Sequence, residues 1–211
     1  MLEIVPLVLG PVSTNCYLVA DPDSGDAAVI DPAWDGNVIL AEAQKRGWKI
    51  GQLWYTHAHF DHIGGAAELA SALDPQPVIA MHSADRLLWE MGGGGAIFGF
   101  RIDKGPQPSV DLASVRTLRL GSVTFEVRHT PGHTPGHCAF YCAGAATLFS
   151  GDLIFQDGVG RTDLPGGDMY SEVYSIKTQI FTLPDETRLL SGHGPETTVG
   201  QERMYNLFVG G

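Results

Sequence analysis

Basic residues are scarce in this chain: 13 Lys and Arg stand against 24 Asp and Glu, a formal charge of −11. Nowhere do Lys and Arg cluster, so a phosphate backbone would be repelled rather than gripped, and nucleic acid is not an expected partner. Cysteine is sparse too. Cys16, Cys138 and Cys142 are an odd number without a CxxC pair, which argues against a disulfide framework and for a reducing setting. Long apolar runs are missing: no stretch reaches the about 18 residues that would cross a bilayer. The N-terminal MLEIVPLVLGPVSTN also lacks the basic start of a signal peptide. These absences predict a soluble, cytoplasmic protein that meets no membrane.

What is present suits a globular fold. Hydrophobic residues make up 44% and charged residues 18% of 211 positions, enough to bury a large core. Strand-like runs lie at Leu2 to Leu9, Cys16 to Ala20 and Ala27 to Asp31, separated by turn residues. A helix is expected over 37–46 with Gly47 as its stop, then a strand from Ile50 to Tyr55, a helix from about Ile63 to Leu73 and a strand from Val78 to Met81. The second half repeats the theme. Strand pairs are expected at Val115 to Leu120 with Val123 to His129, and at Cys138 to Cys142 with Thr147 to Ser150. A helix from Met169 to about Phe181, a strand at Leu189 and Leu190 and a helix after Thr198 complete the pattern. Two β-rich halves carrying helices predict two sheets face to face with helices outside, in a single domain over residues 1–211 without a linker.

Residues 92–111 fit neither pattern. Four glycines precede Ile97, Phe98 and Phe100, and a Gly105 to Pro108 turn cluster follows. A surface loop is one reading; a mobile lid whose Phe98 and Phe100 touch substrate is the other.

The chemistry concentrates at His57-Ala58-His59-Phe60-Asp61-His62, directly after the Ile50 to Tyr55 strand. Such strand ends are where α/β folds place their sites. In an extended segment His57 and His59 share one face, while Asp61 and His62 fall at the turn into the next helix. A lone histidine would be an ordinary core or surface residue. Three with a carboxylate form a ligand set for Zn, Fe or Mn. Further single ligand types follow strands beside glycine: His133 in HTPGHTPGH at 129–137, Asp152 in Ser150-Gly151-Asp152, and His193 in Ser191-Gly192-His193-Gly194.

The order HxHxDH, GH, GD, GHG from His57 to His193 resembles the metallo-β-lactamase superfamily. GRTDLPGGD at 160–168 and SGHGPETTVGQER at 191–203 make it most similar to the short, single-domain members of the glyoxalase II (hydroxyacylglutathione hydrolase-like) branch. The resemblance implies a four-layer αββα sandwich lacking the C-terminal helical region that contacts glutathione in longer members. It implies two divalent metal ions: His57, His59 and His133 on the first, Asp61, His62 and His193 on the second, Asp152 bridging. Zinc is the expected occupant, and iron or manganese share the same ligands.

The resemblance further implies a hydrolase in which a metal-bridging hydroxide, oriented by Asp61, cleaves a small-molecule thioester such as S-lactoylglutathione. A thiolate, with a thiol pKa of about 8.5, leaves without strong acid assistance. The alternative within the superfamily is a mononuclear iron persulfide dioxygenase, whose ligands match His57, His133 and Asp152; a lactonase or other ester hydrolase is a third reading. Arg161 either pairs with Asp163 in its loop or meets a substrate carboxylate. His129 and His137, flanking His133, are candidates to support a ligand by hydrogen bonding.

Overall fold

A computed structural model of the chain describes residues 2–210. The first sheet starts as an antiparallel meander of β1 (Glu3–Leu9), β2 (Thr14–Ala20) and β3 (Asp26–Ile30). It continues in parallel through β4 (Lys49–Trp54), β5 (Val78–Met81) and the short β6 (Val110–Asp111). Parallel neighbours need crossovers. Helix α1 (Gly36–Arg46) supplies the first, α2 (Phe60–Ile63) and α3 (Ala66–Ala72) the second, and α4 (Arg86–Glu90) lies on the third.

Helix α1 ends where the sequence says it should. Gly47 turns left-handed and its N–H reaches the carbonyls of Ala43 and Gln44, while Lys45 and Arg46 occupy the negative end. The helix expected over Ile63 to Leu73 is α3, which starts at Ala66, and a separate short helix, α2, ends at Ile63 before it. Gly65 donates its N–H to the carbonyl of Pro32 at 2.8 Å, so the chain steps sideways onto the 32–34 loop between α2 and α3.

The second sheet is built from β7 (Thr117–Leu120), β8 (Val123–His129), β9 (Cys138–Cys142) and β10 (Thr147–Gly151), all antiparallel neighbours. A small hairpin of β11 (Ile154–Phe155) and β12 (Gly158–Val159) follows, and then α5 (Met169–Ser175), which widens to a π-type turn over Ile176–Ile180. Strand β13 (Arg188–Ser191) returns parallel to β10, and β14 (Thr197–Thr198) leads into α6 (Val199–Tyr205). Among the described residues both sheets have six strands, in the orders β1-β2-β3-β4-β5-β6 and β14-β13-β10-β9-β8-β7.

Strand alternation assigns each residue to a layer. Tyr17 and Val19 of β2 face the second sheet, with Ile30 and Trp54, against Phe125, Phe140 and Phe149. Leu18, Val29, Leu53 and Ile79 face outward onto Ile39, Ile63 and Leu69 of the helices. On the far side Leu148 and Leu189 pack under Ile176, Ile180 and Val199. The result is the expected αββα sandwich. Trp54 is its central plug, with ring centroids 4.8 Å from Phe125 and 5.8 Å from Phe140; a buried ring of this size contributes roughly 2–3 kcal/mol of transfer free energy.

Segment 92–111 is more ordered than a plain loop reading implies. It forms a 3-10 turn over Gly95–Phe98 and closes the first sheet with β6. No helix among the described residues is long and apolar enough to cross a membrane.

Candidate metal centre

The groove between the two sheets, at one end of the sandwich, gathers ligand-type side chains from four stretches of chain. His57 follows β4, His59 precedes α2, and Asp61 and His62 lie within α2. His133 comes from the β8–β9 loop, Asp152 follows β10, and His193 follows β13. All seven converge. Ligand atoms of His57, His59 and His133 lie within 4.8 Å of one another, and so do those of Asp61, His62 and His193.

Asp152 sits between these two groups. Its Oδ1 is 3.3 Å from His62 Nε2, and its Oδ2 is 3.6 Å from both His133 Nε2 and His193 Nε2. The backbone permits this because residue 192 is glycine. A Cβ there would lie 2.2 Å from Asp152 Oδ1 and 2.6 Å from His62 Cε1.

On three of the imidazoles, those of His57, His62 and His133, the ring nitrogen on the far side is tied back into the protein. Thr56 Oγ1 donates to Asp31 Oδ2 at 2.7 Å, so it accepts from His57 Nδ1 at 3.0 Å and leaves His57 Nε2 facing the centre. His62 Nδ1 donates to Asp31 Oδ2 at 2.9 Å, and His133 Nδ1 donates to the carbonyl of Arg161 at 2.7 Å. Such carboxylate and carbonyl partners fix tautomer and ring orientation in metal sites. Asp61 is held by Thr14 Oγ1 at 2.8 Å and lies 3.2 Å from His193 Nε2.

Electrostatics follow from burial and crowding. Burial holds His57 well below the usual imidazole range, helped by His62 and His133 alongside. Burial also pulls His59 down to about 3 and lowers His133. Neutral imidazole is the form that binds metal. Burial opposes the charge of Asp61 and Asp152, yet His62 outweighs it, drawing Asp61 down to about 2 and Asp152 well below the carboxylate range. For His62 the neighbours Asp152, Asp61 and Asp31 overcome burial, and for His193 the bond to Asp61 does; both rise. The carboxylates therefore demand positive charge, and no Lys or Arg among the described residues enters the cluster to supply it.

A cation fits this demand on a second, independent observation. His57 Nε2, His62 Nε2 and Asp152 Oδ1 are buried and lack any hydrogen-bond partner. An unpaired buried polar group costs about 1–3 kcal/mol, and imidazole nitrogens with a carboxylate oxygen are donors that suit divalent ions. A third grouping, Asp31 with His57 and His62, is a support instead. Asp31 already accepts from Thr56 N–H at 2.7 Å, from the Thr56 hydroxyl and from His62.

A cavity of about 220 Å³ opens over the cluster, lined by His59, Asp61, His133, Asp152 and His193 at its floor and by Phe60, Phe98, Phe100 and Arg161 above. Arg161 clasps Asp163 through Nε and Nη2 at 2.7 and 2.8 Å, the first of the two readings made of it, and also lines the cavity. His137 is buried beside the cluster, its Nδ1 on Thr130 Oγ1 at 2.8 Å and its Nε2 accepting the Asp152 N–H at 3.2 Å. Both its nitrogens are engaged, so it braces Asp152. His129 does not reach a ligand. It is exposed, stacked on His82 at 4.1 Å, and its Nε2 meets the carbonyl of Pro135.

Sequence reasoning missed Asp31, Thr14 and Asp85. Asp85 accepts from Ala58 N–H, Thr134 Oγ1 and Gly136 N–H, stitching the HxHxDH loop to the His133 loop. Asp31 does carry a signal: an Asp-Pro directly after an apolar strand, at the end where the ligands gather.

Two facing sheets with a paired His/Asp cluster at their shared rim define the class of metal-binding αββα hydrolases. The family model of the metallo-beta-lactamase superfamily matches residues 9–193, and the chain belongs to that superfamily, whose fold binds divalent metals. Among curated relatives, the hydroxyacylglutathione hydrolase GloC of Haemophilus influenzae is 32% identical, covering 99% of this chain and 97% of its own. Among solved structures, the B3 metallo-beta-lactamase BLEG-1 is 35% identical with a TM-score of 0.91 over the full length of both chains. TTHA1623, solved in a di-iron-bound form, is 40% identical with a TM-score of 0.87, covering 97% of this chain and 99% of its own.

Proposed function

We propose that this protein is a binuclear metal-dependent hydrolase of glyoxalase II type that cleaves a thioester. The observation that carries the reading is the pair of ligand triads, His57/His59/His133 and Asp61/His62/His193, with Asp152 within reach of both. The first triad would hold one ion, the second the other, and Asp152 would join them. Divalent ions in such a site lower the pKa of water to about 7 and polarise a carbonyl oxygen. Zinc and iron both suit an imidazole and carboxylate set, and the di-iron form of TTHA1623 supports iron as an occupant.

The chain's own residues supply orientation. Asp61, kept ionised by His62 and fixed by Thr14, accepts a hydrogen bond from the attacking water and sets its direction. Among the described residues no carboxyl, thiol, tyrosine or histidine other than the proposed ligands lines the cavity, and Arg161 there is engaged with Asp163. That favours a leaving group needing little protonation, and a thiol with a pKa of about 8.5 meets the requirement better than an amine. The likeness to GloC points the same way. A complete second triad favours two ions over the single iron of a persulfide dioxygenase.

The test combines metal content with turnover. Protein reconstituted with Zn, Fe or Mn is expected to hold two ions per chain and to hydrolyse S-lactoylglutathione, losing activity on chelation and regaining it on metal return. One iron per chain with oxygen consumption on glutathione persulfide would replace the hydrolase reading.

A further inference from the structure

One wall of the cavity is aromatic and fastened down. Phe60 stacks on Phe98 at 5.8 Å and on Phe100 at 5.1 Å, and Trp34 backs Phe60 and Phe100 edge-on at 6.4 and 6.1 Å. The glycine-rich segment that carries Phe98 is pinned beneath: Phe60 donates its N–H to the carbonyl of Gly93 at 3.0 Å. At Gly93, with φ +65°, a Cβ would come within 2.3 Å of that same nitrogen. The segment is thus a seated wall. Phe98 nonetheless remains 44% exposed and the adjoining Ile97 64%. Large apolar side chains left open at a cavity mouth gain free energy when an apolar group covers them.

The charge lining the same cavity points to the same ligand chemistry. Arg161 is the one Lys or Arg among the lining residues, and its bidentate clasp on Asp163 gives the pair no net charge. A tripeptide thiol with two carboxylates would meet an Arg161 whose charge Asp163 already balances and would approach a chain of formal charge −11. An uncharged ligand meets neither cost.

Within the thioester reading, on which this inference rests, we propose that the cavity selects uncharged thioesters bearing an aromatic or bulky apolar group. Phe98 and Phe100 are the specificity-determining contacts. Glutathione conjugates are then the poorer members of the substrate class.

Binding and turnover separate the two levels of the proposal. Calorimetry on the metal-loaded full chain would use three thioethers that cannot be hydrolysed: N-acetyl-S-benzylcysteamine, its S-methyl counterpart and S-benzylglutathione. The uncharged benzyl probe is expected to bind at least ten-fold tighter than either of the others. Phe98→Ala, at an exposed position, should weaken the benzyl probe at least five-fold and leave the methyl probe unchanged, with Phe98→Leu between. Asp163→Asn, which frees Arg161, should tighten S-benzylglutathione. Tighter binding of S-benzylglutathione than of the uncharged benzyl probe to the unaltered protein would overturn the inference, as would equal effects of Phe98→Ala on the benzyl and methyl probes. If the binding order holds while neither neutral nor glutathione thioesters are hydrolysed, the cavity's preference stands and the hydrolase reading falls.

Discussion

Replacing Asp31 by Asn tests whether the ligand geometry depends on a carboxylate outside the cluster. Asp31 is 2% exposed and accepts three hydrogen bonds, from Thr56 N–H, the Thr56 hydroxyl and His62 Nδ1. An amide keeps the shape but converts one acceptor into a donor. Turned toward the backbone, its NH2 opposes the Thr56 N–H. Turned the other way, it meets His62 Nδ1 and moves the imidazole proton to Nε2, the atom 3.3 Å from Asp152 and 3.5 Å from Asp61. Either outcome leaves a buried donor unpaired, at about 1–3 kcal/mol, and forfeits part of a charge-assisted bond worth about 1.5–3 kcal/mol. A net loss of about 2–4 kcal/mol corresponds to a melting temperature lower by about 4–16 °C for a chain of this size. Loss of such an outer partner costs about 10–100-fold in metal affinity. The loss should be larger at the Asp61/His62/His193 triad, where the contact is direct, than at His57, which Asp31 reaches only through Thr56. Chelator competition on the metal-loaded protein reads the two affinities, and scanning calorimetry reads the melt. Unchanged affinities and an unchanged melt in the Asp31→Asn variant would show that the imidazoles are aimed without this carboxylate.

Four further outcomes are expected. Exhaustive chelation should lower the melting temperature, because an ion at 100 times its Kd stabilises by about 2.7 kcal/mol; an identical melt with and without metal would contradict the metal assignment. Trp54→Ala, between Phe125 and Phe140, should cost about 3–5 kcal/mol, read as a shift in urea midpoint at constant slope. Gly93→Ala should destabilise more than Gly94→Ala. Both adopt positive φ, which costs about 1–2 kcal/mol for a residue with a Cβ, but at 93 that Cβ also strikes Phe60 N at 2.3 Å, whereas at 94 the nearest atom is 3.7 Å away. Glu172 gives a pH signature: burial pushes its carboxyl up to about 9. Below the unfolded carboxylate range both states hold the proton; from there up to about 9 only the folded state does, so wild-type stability falls with rising pH. Glu172→Gln should remove that fall, and its melting temperature should gain on the wild type between pH 5 and 9.

The sequence made the layers and the ligands legible for the same reason: both are local signals. Alternation in Val123–His129 shows a face whatever lies opposite. Likewise His57, His59, Asp61 and His62 are crowded within six residues, and no ordinary packing need explains that. What escaped depended on partners distant in the chain. Thr14 meets Asp61 across 47 positions, Asp85 meets Gly136 across 51, and Asp31 meets His62 across 31. Each alone is an ordinary turn or strand-end residue. The break between α2 and α3 falls at Gly64-Gly65, a local signal, and the bond from Gly65 to Pro32 is what turns it into a step. Of the two histidines flanking His133 as candidate supports, the fold uses His137, which accepts the Asp152 N–H, and turns His129 outward onto His82.

Folding and metal binding are coupled by these same contacts. The groove at the sheet ends buries five imidazoles and three carboxylates, counting His57, His59, His62, His133, His137, Asp31, Asp61 and Asp152. Without cations, charge balance must come from protons held on His62 and His193, which are the groups whose imidazoles are pushed upward. Divalent ions held by the two triads would take the place of such protons, satisfy His57 Nε2 in the first, His62 Nε2 in the second and Asp152 Oδ1 between them, and relieve the repulsion between carboxylates. The outer bonds through Asp31, Thr56 and the Arg161 carbonyl hold the imidazoles in their ligating tautomer before any ion arrives. The rigid two-sheet core therefore does more than carry the site. It keeps polar atoms aimed at one another that would separate if free, and cations held there would give them partners.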